Sequence, residues 1–434
     1  MKTKNSISIF TSTAHSDSPV DNLARIALDI GEGLLKSGAE IHRVEDAIEH
    51  ICKAYGAAHV EVFSIQSLIV VAIRMPDGTY AEQSRRITNI SNHLRCLEHY
   101  NRLSRDICQS KPDFDEVDRR IFEIKQKRNY PFYLIFLGHI FAASGFAIFF
   151  GGSLRDGLAA GLVGMVMALL DRINAKFFTP VTKTLLISFF GGLCSCLTVM
   201  LHIGESVNMI AIGTIMILIP GLSLGNSMRD LLSGDTLAGI LRAVQSCIIA
   251  VIIAIGYSIS IFLMSNFYIE VGPATFELWQ KWTLGILSSL IGTIGFALIF
   301  RISLKKLPIV GIGGVFTYII YEVIYAIGAQ NVLFATFVAS VFMAIFSEIC
   351  ARVIRAPAVV FLFPCAIPIV PGSALYYSMY YLLTDEYTQF TNSISVAGEV
   401  ILGLALGLSV ATVIWGIIHY IIKRTLKINK KNNS

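Results

Sequence analysis

The chain has 434 residues, of which 54% are hydrophobic and only 15% charged, against roughly 25% charged in an ordinary soluble protein. Its formal net charge is +5, and the basic residues flank apolar runs instead of forming a nucleic-acid-binding pattern, which excludes that class. Residues 1–130 are rich in charge and residues 131–425 hold long apolar runs, so two parts are built for two solvents.

The first twenty residues are polar and carry no apolar core of a secretory signal, so 1–20 is expected to be a disordered tail. From Asp21 the spacing of Leu23, Ile26, Ala27, Ile30 and Leu34 predicts a helix that Gly38 ends. A second helix is expected over Ile41–Tyr55, stopping at Gly56. β-branched runs from His59 to Met75 predict strands, with Pro76-Asp77-Gly78-Thr79 as a turn. Two polar helices follow, near 87–109 and 114–128. Residues 21–130 therefore read as a soluble α+β domain large enough to bury its own core.

On the second helix His42, Glu45, Asp46 and Glu49 share a face. Metal binding would need a further converging group, so a solvated face with Arg43 as counter-charge is the expectation. No phosphate-binding glycine loop, nucleophile elbow or HExxH is present, so no enzyme, cofactor or metal site is expected. The eight cysteines, Cys52, Cys96, Cys108, Cys194, Cys196, Cys247, Cys350 and Cys365, contain no CxxC pair and read as small buried residues.

Ten apolar segments follow, near 131–150, 154–171, 183–202, 207–232, 243–265, 280–300, 308–327, 331–351, 356–383 and 395–422. Each is close to the roughly 20 residues that span a bilayer. With the first part cytoplasmic, 21 Lys and Arg fall on the inner side and two, Arg155 and Lys281, on the outer side. That asymmetry predicts both termini in the cytoplasm, a basic tail at 426–434, and an inner-membrane location.

The membrane part repeats itself. At an offset of 150, Gly145-Phe146-Ala147, Phe150, Ser153-Leu154, Gly161 and Gly164 recur as Gly295-Phe296-Ala297, Phe300, Ser303-Leu304, Gly311 and Gly314. At an offset of 151, Pro220-Gly221, Leu224, Ser227-Met228 and Leu231-Leu232 recur as Pro371-Gly372, Leu375, Ser378-Met379 and Leu382-Leu383. Five spans per repeat, over 131–270 and 275–425, would invert the second half. The expected architecture is thus a soluble α+β domain followed by an all-α polytopic membrane domain of about ten helices in two inverted five-helix repeats. Such folds serve alternating access, with the substrate near the midplane.

The fourth and ninth segments each carry a Pro-Gly near the middle, and the ninth has Pro364, Pro368 and Pro371. Proline removes a backbone donor, so carbonyls there need other partners. The candidate substrate-binding residues are Pro220, Gly221, Ser223, Asn226, Ser227, Pro371, Gly372 and Ser373. Four acidic residues lie in or at the ends of spans. Asp171 adjoins Arg172 and Glu348 has Arg352 one turn on, so both read as interfacial ion pairs. Glu322 and Glu399 lack a basic neighbour in sequence and are the candidates, in that order, for proton coupling.

The stretches "GEGLLKSGAEIHRVEDAIEHICKAYGAAHVEVF", "ILIPGLSLGNSMRDLLSGDTLAG" and "APAVVFLFPCAIPIVPGSALYYSMYYL" resemble the threonine/serine exporter family over nearly all of 20–425. In some members the halves are separate proteins, one such pair being implicated in succinate export; here they are fused. The resemblance implies a secondary transporter exporting small polar metabolites, with a small amino acid or organic acid, protons and the lipid bilayer as its partners, as well as homo-oligomers. The other classes consistent with the composition are a membrane-embedded enzyme and a sensor with a cytoplasmic regulatory domain. Against them, neither a catalytic constellation nor a signalling motif can be assembled.

Overall fold

The computed structural model describes residues 18–88, 93–126, 130–173, 179–220, 223–224, 227–228, 230–231, 234–267, 272, 274, 276–328 and 330–432. The expected tail at 1–20 lies outside them except for Ser18, Pro19 and Val20, which open the first helix. The chain divides into two compact units, residues 1–91 with 99–128, and residues 92–98 with 129–434.

In the first unit α1 (Pro19–Lys36) and α2 (Ile41–Ala54) are each apolar on one face, and that face is buried against a meander of three antiparallel strands. The strands are β1 (His59–Ile65), β2 (Leu68–Arg74) and β3 (Tyr80–Arg86), in the order β1-β2-β3. Ile69, Val71 and Ile73 of β2 are fully buried with Ile26 and Ile30 of α1 and Val44, Ile48 and Ile51 of α2. Gly31 lets α1 and α2 close up: a β-carbon there would stand 2.6 Å from Ile48 Cδ1. As expected, Gly38 terminates α1: after Lys36 and Ser37 its φ of 97° turns the chain while Ala39 N donates to Leu34 O.

The helix expected from residue 87 begins later, as α3 (Leu94–Ser110), and α4 covers Phe114–Gln126. β3 ends at Arg86, paired with Leu68 of β2, and Ile87 and Thr88 after it are not helical. Arg25 of α1 donates to both oxygens of Asp118 in α4, at 2.9 and 2.8 Å, tying the two helices by a bidentate pair.

The face expected to be solvated contains one structural anchor. Glu45 Oε1 accepts from Ser64 N at 2.7 Å and Ser64 Oγ at 3.0 Å, pinning α2 to β1. Glu45→Ala leaves both donors to find new partners and should cost about 1–3 kcal/mol. Hydrogen exchange of the full chain should show faster exchange across β1; unchanged protection there would refute the anchoring role.

The second unit is helical. Its helices are α5 (Phe132–Phe149), α6 (Leu154–Arg172), α7 (Pro180–Met200), α8 (Val207–Ile215), α9 (Thr236–Met264), α10 (Leu278–Ile299), α11 (Leu307–Ile327), α12 (Val332–Ile354), α13 (Val359–Ala366), α14 (Gly372–Leu383) and α15 (Tyr387–Asn432). Among the described residues seven are long and apolar enough to cross a membrane: α5, α7, α9, α10, α11, α12 and α15. An eighth is added if the bent pair Val359–Ile369 and Gly372–Leu382 is one span. The other two expected segments differ in character. Segment 154–171 is α6, with charged residues at both ends, and segment 207–232 begins with the nine-residue α8. The loop expected at 384–394 is mostly helix, because α15 starts at Tyr387, and its backbone continues through the expected tail to Asn432.

Inside a bilayer apolar side chains gain little by leaving lipid, so helices associate through close packing at small residues. The crossings follow that rule. A β-carbon at Gly145 would lie 2.6 Å from Gly292 N, and one at Gly295 would lie 2.3 Å from Ala142 N, so α5 and α10 touch backbone to backbone. Similarly, α7 meets α9 where Gly192 faces Ser260, and α12 meets α15 where Gly407 faces Ser340. The buried hydroxyl of Tyr257 is satisfied by Thr214 Oγ1 at 2.8 Å.

Candidate functional site

Both proline-bearing segments lose helical structure, at Pro220 in one and at Pro368 and Pro371 in the other, while Pro364 stays inside α13. α8 stops at Ile215 and is followed by a turn over 216–218 and an irregular stretch to Pro220. In the ninth segment α13 runs into a short 3-10 turn, Ile367–Ile369, after which Val370 is extended. The axis then bends by 50° into α14. Pro368 and Pro371 cannot donate backbone hydrogen bonds, and the missing donors account for the change of hydrogen-bonding pattern.

The two breaks lie against each other. A β-carbon at Gly372 would stand 1.9 Å from Met216 Sδ, so the methionine side chain packs directly on the glycine. Leu224 packs with Leu375 in one buried cluster, and Tyr376 with Ile212 and Ile215 in another. The Tyr376 hydroxyl donates to Asn208 Oδ1 at 3.0 Å.

Beside the second break is a cavity of about 430 Å³, lined among others by Pro371, Ser373, Tyr318, Tyr321, Glu322 and Lys281. Three of the predicted site residues, Pro371, Ser373 and Glu322, therefore share one space. Glu399 is half-buried one residue before Val400, a lining residue, and Tyr321 lies within electrostatic reach of both Glu322 and Glu399. Pro220, Ser223 and Ser227 are outside the lining. Ser227 is buried and its hydroxyl donates to Leu224 O at 2.7 Å, a local role. Gly372 sits at the break but does not line the cavity. Gly221 and Asn226 lie outside the described residues.

Several charged residues have partners that chain order did not indicate. Asp171 pairs with Lys183 at 2.9 Å, not with the adjacent Arg172, which stacks over Phe132 at 4.6 Å. Arg352 in addition stacks over Trp415 at 4.7 Å, a contact that does not bear on the expected pairing with Glu348. Arg242, expected in an inner loop, is buried in an ion pair with Asp230 at 3.0 Å. Lys306 pairs with Glu98. Among the described residues no group of three or more His, Cys, Asp and Glu could hold a metal ion.

Asp156 is a buried carboxylate, and Ser153-Leu154-Arg155-Asp156 has the spacing of a capping box. One oxygen accepts from Ser153 N and Oγ, at 2.8 and 3.0 Å. The other accepts from Glu205 N and Ser206 N, at 2.7 and 2.9 Å, and so fixes the start of α8. Asp156→Ala would leave these amides without their acceptor and should cost on the order of 3 kcal/mol. A thermal midpoint in detergent equal to that of the unsubstituted protein would refute this.

The sequence matches two family patterns. One, described as "Putative threonine/serine exporter", covers residues 25–264, and the other, described as "Threonine/Serine exporter, ThrE", covers residues 285–414. A curated relative from Mycobacterium tuberculosis, named "Probable threonine/serine exporter", is 22% identical over 250 residues, which is 57% of this chain and 47% of the relative. The match thus spans about half the length of that relative. No solved structure matches the chain.

Proposed function

Since the chain belongs to the threonine/serine exporter family, we propose that it is a secondary transporter moving small polar amino acids of the threonine or serine type out of the cell against inward-moving protons. The observation that carries this reading is the cavity at the second helix break, which combines a carboxylate, a serine and the first turn of α14. The amides of a first helical turn lack intrahelical acceptors and favour a carboxylate. Ser373, joined in another state of the cycle by Ser223, Asn226 and Ser227, offers hydroxyl and amide groups to the rest of the substrate. Pro220, Gly221, Pro371 and Gly372 supply the breaks themselves. Glu322 first, and Glu399 second, carry the coupling proton.

The proposed frame is ten membrane segments in two inverted repeats, in the inner membrane, with both termini cytoplasmic. The distribution of Lys and Arg supports the orientation, and the Pro-Gly pairs support the repeat. A small dicarboxylate such as succinate is the second reading, favoured by the helix N-terminus at the cavity and opposed by Glu322.

Proteoliposomes loaded with labelled serine, threonine or succinate test the reading. Efflux of serine and threonine should rise several-fold when a proton gradient is imposed. Stimulated efflux of succinate alone would favour the second reading, and no stimulated efflux of any of the three would overturn both.

A further inference from the structure

The cavity contains two opposite charges that do not cancel by direct contact. Lys281 enters from the first turn of α10 and Glu322 from the last two turns of α11, and both line the same space. Among the described residues neither side chain makes a hydrogen bond or an ion pair within 4.0 Å. Lys281 is nevertheless the charge that acts on Glu322. Glu322 is half-buried and Lys281 is exposed, so the carboxylate is the charge that burial penalises unless it is matched. A matched pair would close into a salt bridge, whereas here a lysine and a glutamate face a common space beside aromatic walls. The ligand that complements such an arrangement carries one charge of each sign a few ångströms apart.

We propose that Lys281 and Glu322 form a zwitterion clamp, Lys281 taking the carboxylate of an α-amino acid and Glu322 its ammonium group. This rests on the exporter reading above and deepens it by assigning specificity to a lysine that the sequence did not single out. The clamp also rejects the wrong ligands. A dicarboxylate brings a like charge to Glu322, and a simple amine leaves Lys281 unmatched. Exchange follows from the same geometry. A Glu322 carboxylate that has taken up a proton no longer pairs with an ammonium group. Substrate and proton therefore exclude each other at one residue, as antiport requires.

Counterflow of labelled serine in proteoliposomes of the full chain tests this, with unlabelled serine, ethanolamine (serine without its carboxylate) and 3-hydroxypropionate (serine without its ammonium) as competitors. In the unsubstituted protein serine should compete at least about tenfold better than either fragment, the 1.4 kcal/mol equivalent of one charged contact. Lys281→Gln should weaken competition by serine about tenfold and leave ethanolamine unchanged, while Lys281→Arg should stay within about threefold of the original for serine. In Glu322→Gln, 3-hydroxypropionate should gain on serine in direct binding by the purified protein. Equal weakening of serine and ethanolamine in Lys281→Gln would mean a structural role and overturn the clamp, as would no change in either. If the unsubstituted protein exchanges no serine at all, the exporter reading falls and takes the clamp with it. Serine exchange that is insensitive to Lys281 leaves the exporter reading standing and removes only the clamp.

Discussion

Glu322→Gln is expected to abolish proton-driven efflux while leaving the protein folded and inserted. Glu322 is half-buried in α11 and lines the cavity at the helix break, with Lys281 as the acting positive charge, and Tyr321 feels both Glu322 and Glu399. An ionisable group in a membrane helix carries a cost that reaches roughly 2.5–3.5 kcal/mol at the helix centre and is smaller this near the end of α11, and reversible protonation is a sufficient reason for it. Glutamine keeps the shape and the hydrogen-bonding reach but fixes the neutral form. Efflux stimulated by an imposed pH step should fall at least about tenfold, which corresponds to the loss of one transition-determining charge. Glu399→Gln should cause a smaller loss, because Glu399 lies beside the lining and not in it. Measuring serine efflux from proteoliposomes at matched protein density checks both. Full stimulation in the double variant would show that the coupling proton travels elsewhere.

What the sequence made legible is what depends on local chemistry. Pro368 and Pro371 announce a break because a missing backbone donor acts at its own position, and the bend is found there, whereas Pro364 is accommodated inside α13. Gly38 announces the end of α1 for an equally local reason. The repeat pointed to Gly145-Phe146-Ala147 and Gly295-Phe296-Ala297, and in the fold these matched segments meet, with the rings of Phe146 and Phe296 at 5.6 Å and 78°. Side-chain partners between helices were not legible. Residues adjacent on a helix do not face one another, so Asp171 ignores Arg172 and reaches Lys183 on the next helix. For the same reason Glu322, with no basic neighbour along the chain, comes under the charge of Lys281 from another helix. Glu45 looked like part of a charged surface because the pattern within α2 does not show where β1 will present Ser64. The candidate site was readable as a pair of breaks, but its cavity, and the lysine in it, arise only when α10, α11 and α14 come together.

Gly295→Val should eliminate folded protein altogether, although the substitution touches neither the cavity nor any charge. At this crossing a β-carbon would stand 2.3 Å from Ala142 N and 2.8 Å from both Ala142 Cα and Gly138 O. All three atoms are backbone of α5, so no side chain can swing aside to make room. On the facing side Gly138 is also tight, with a β-carbon 2.9 Å from Gly295 O. Relief would require α5 and α10 to separate along the crossing, opening the contact that holds Phe146 against Phe296 and displacing α8, which packs on α5 where Gly213 meets Ala143 and Ala147. In lipid no hydrophobic gain compensates for the packing lost, so the penalty should exceed about 4 kcal/mol, the range of exceptional single substitutions. The matching control is Gly416→Val in α15, where a β-carbon meets nothing within 4 Å. Size-exclusion chromatography of the two variants in detergent should give an aggregate for Gly295→Val and a monodisperse peak for Gly416→Val. A stable, monodisperse Gly295→Val protein would mean that α5 and α10 do not approach through their backbones, and that the glycines shared by the two repeats serve another purpose.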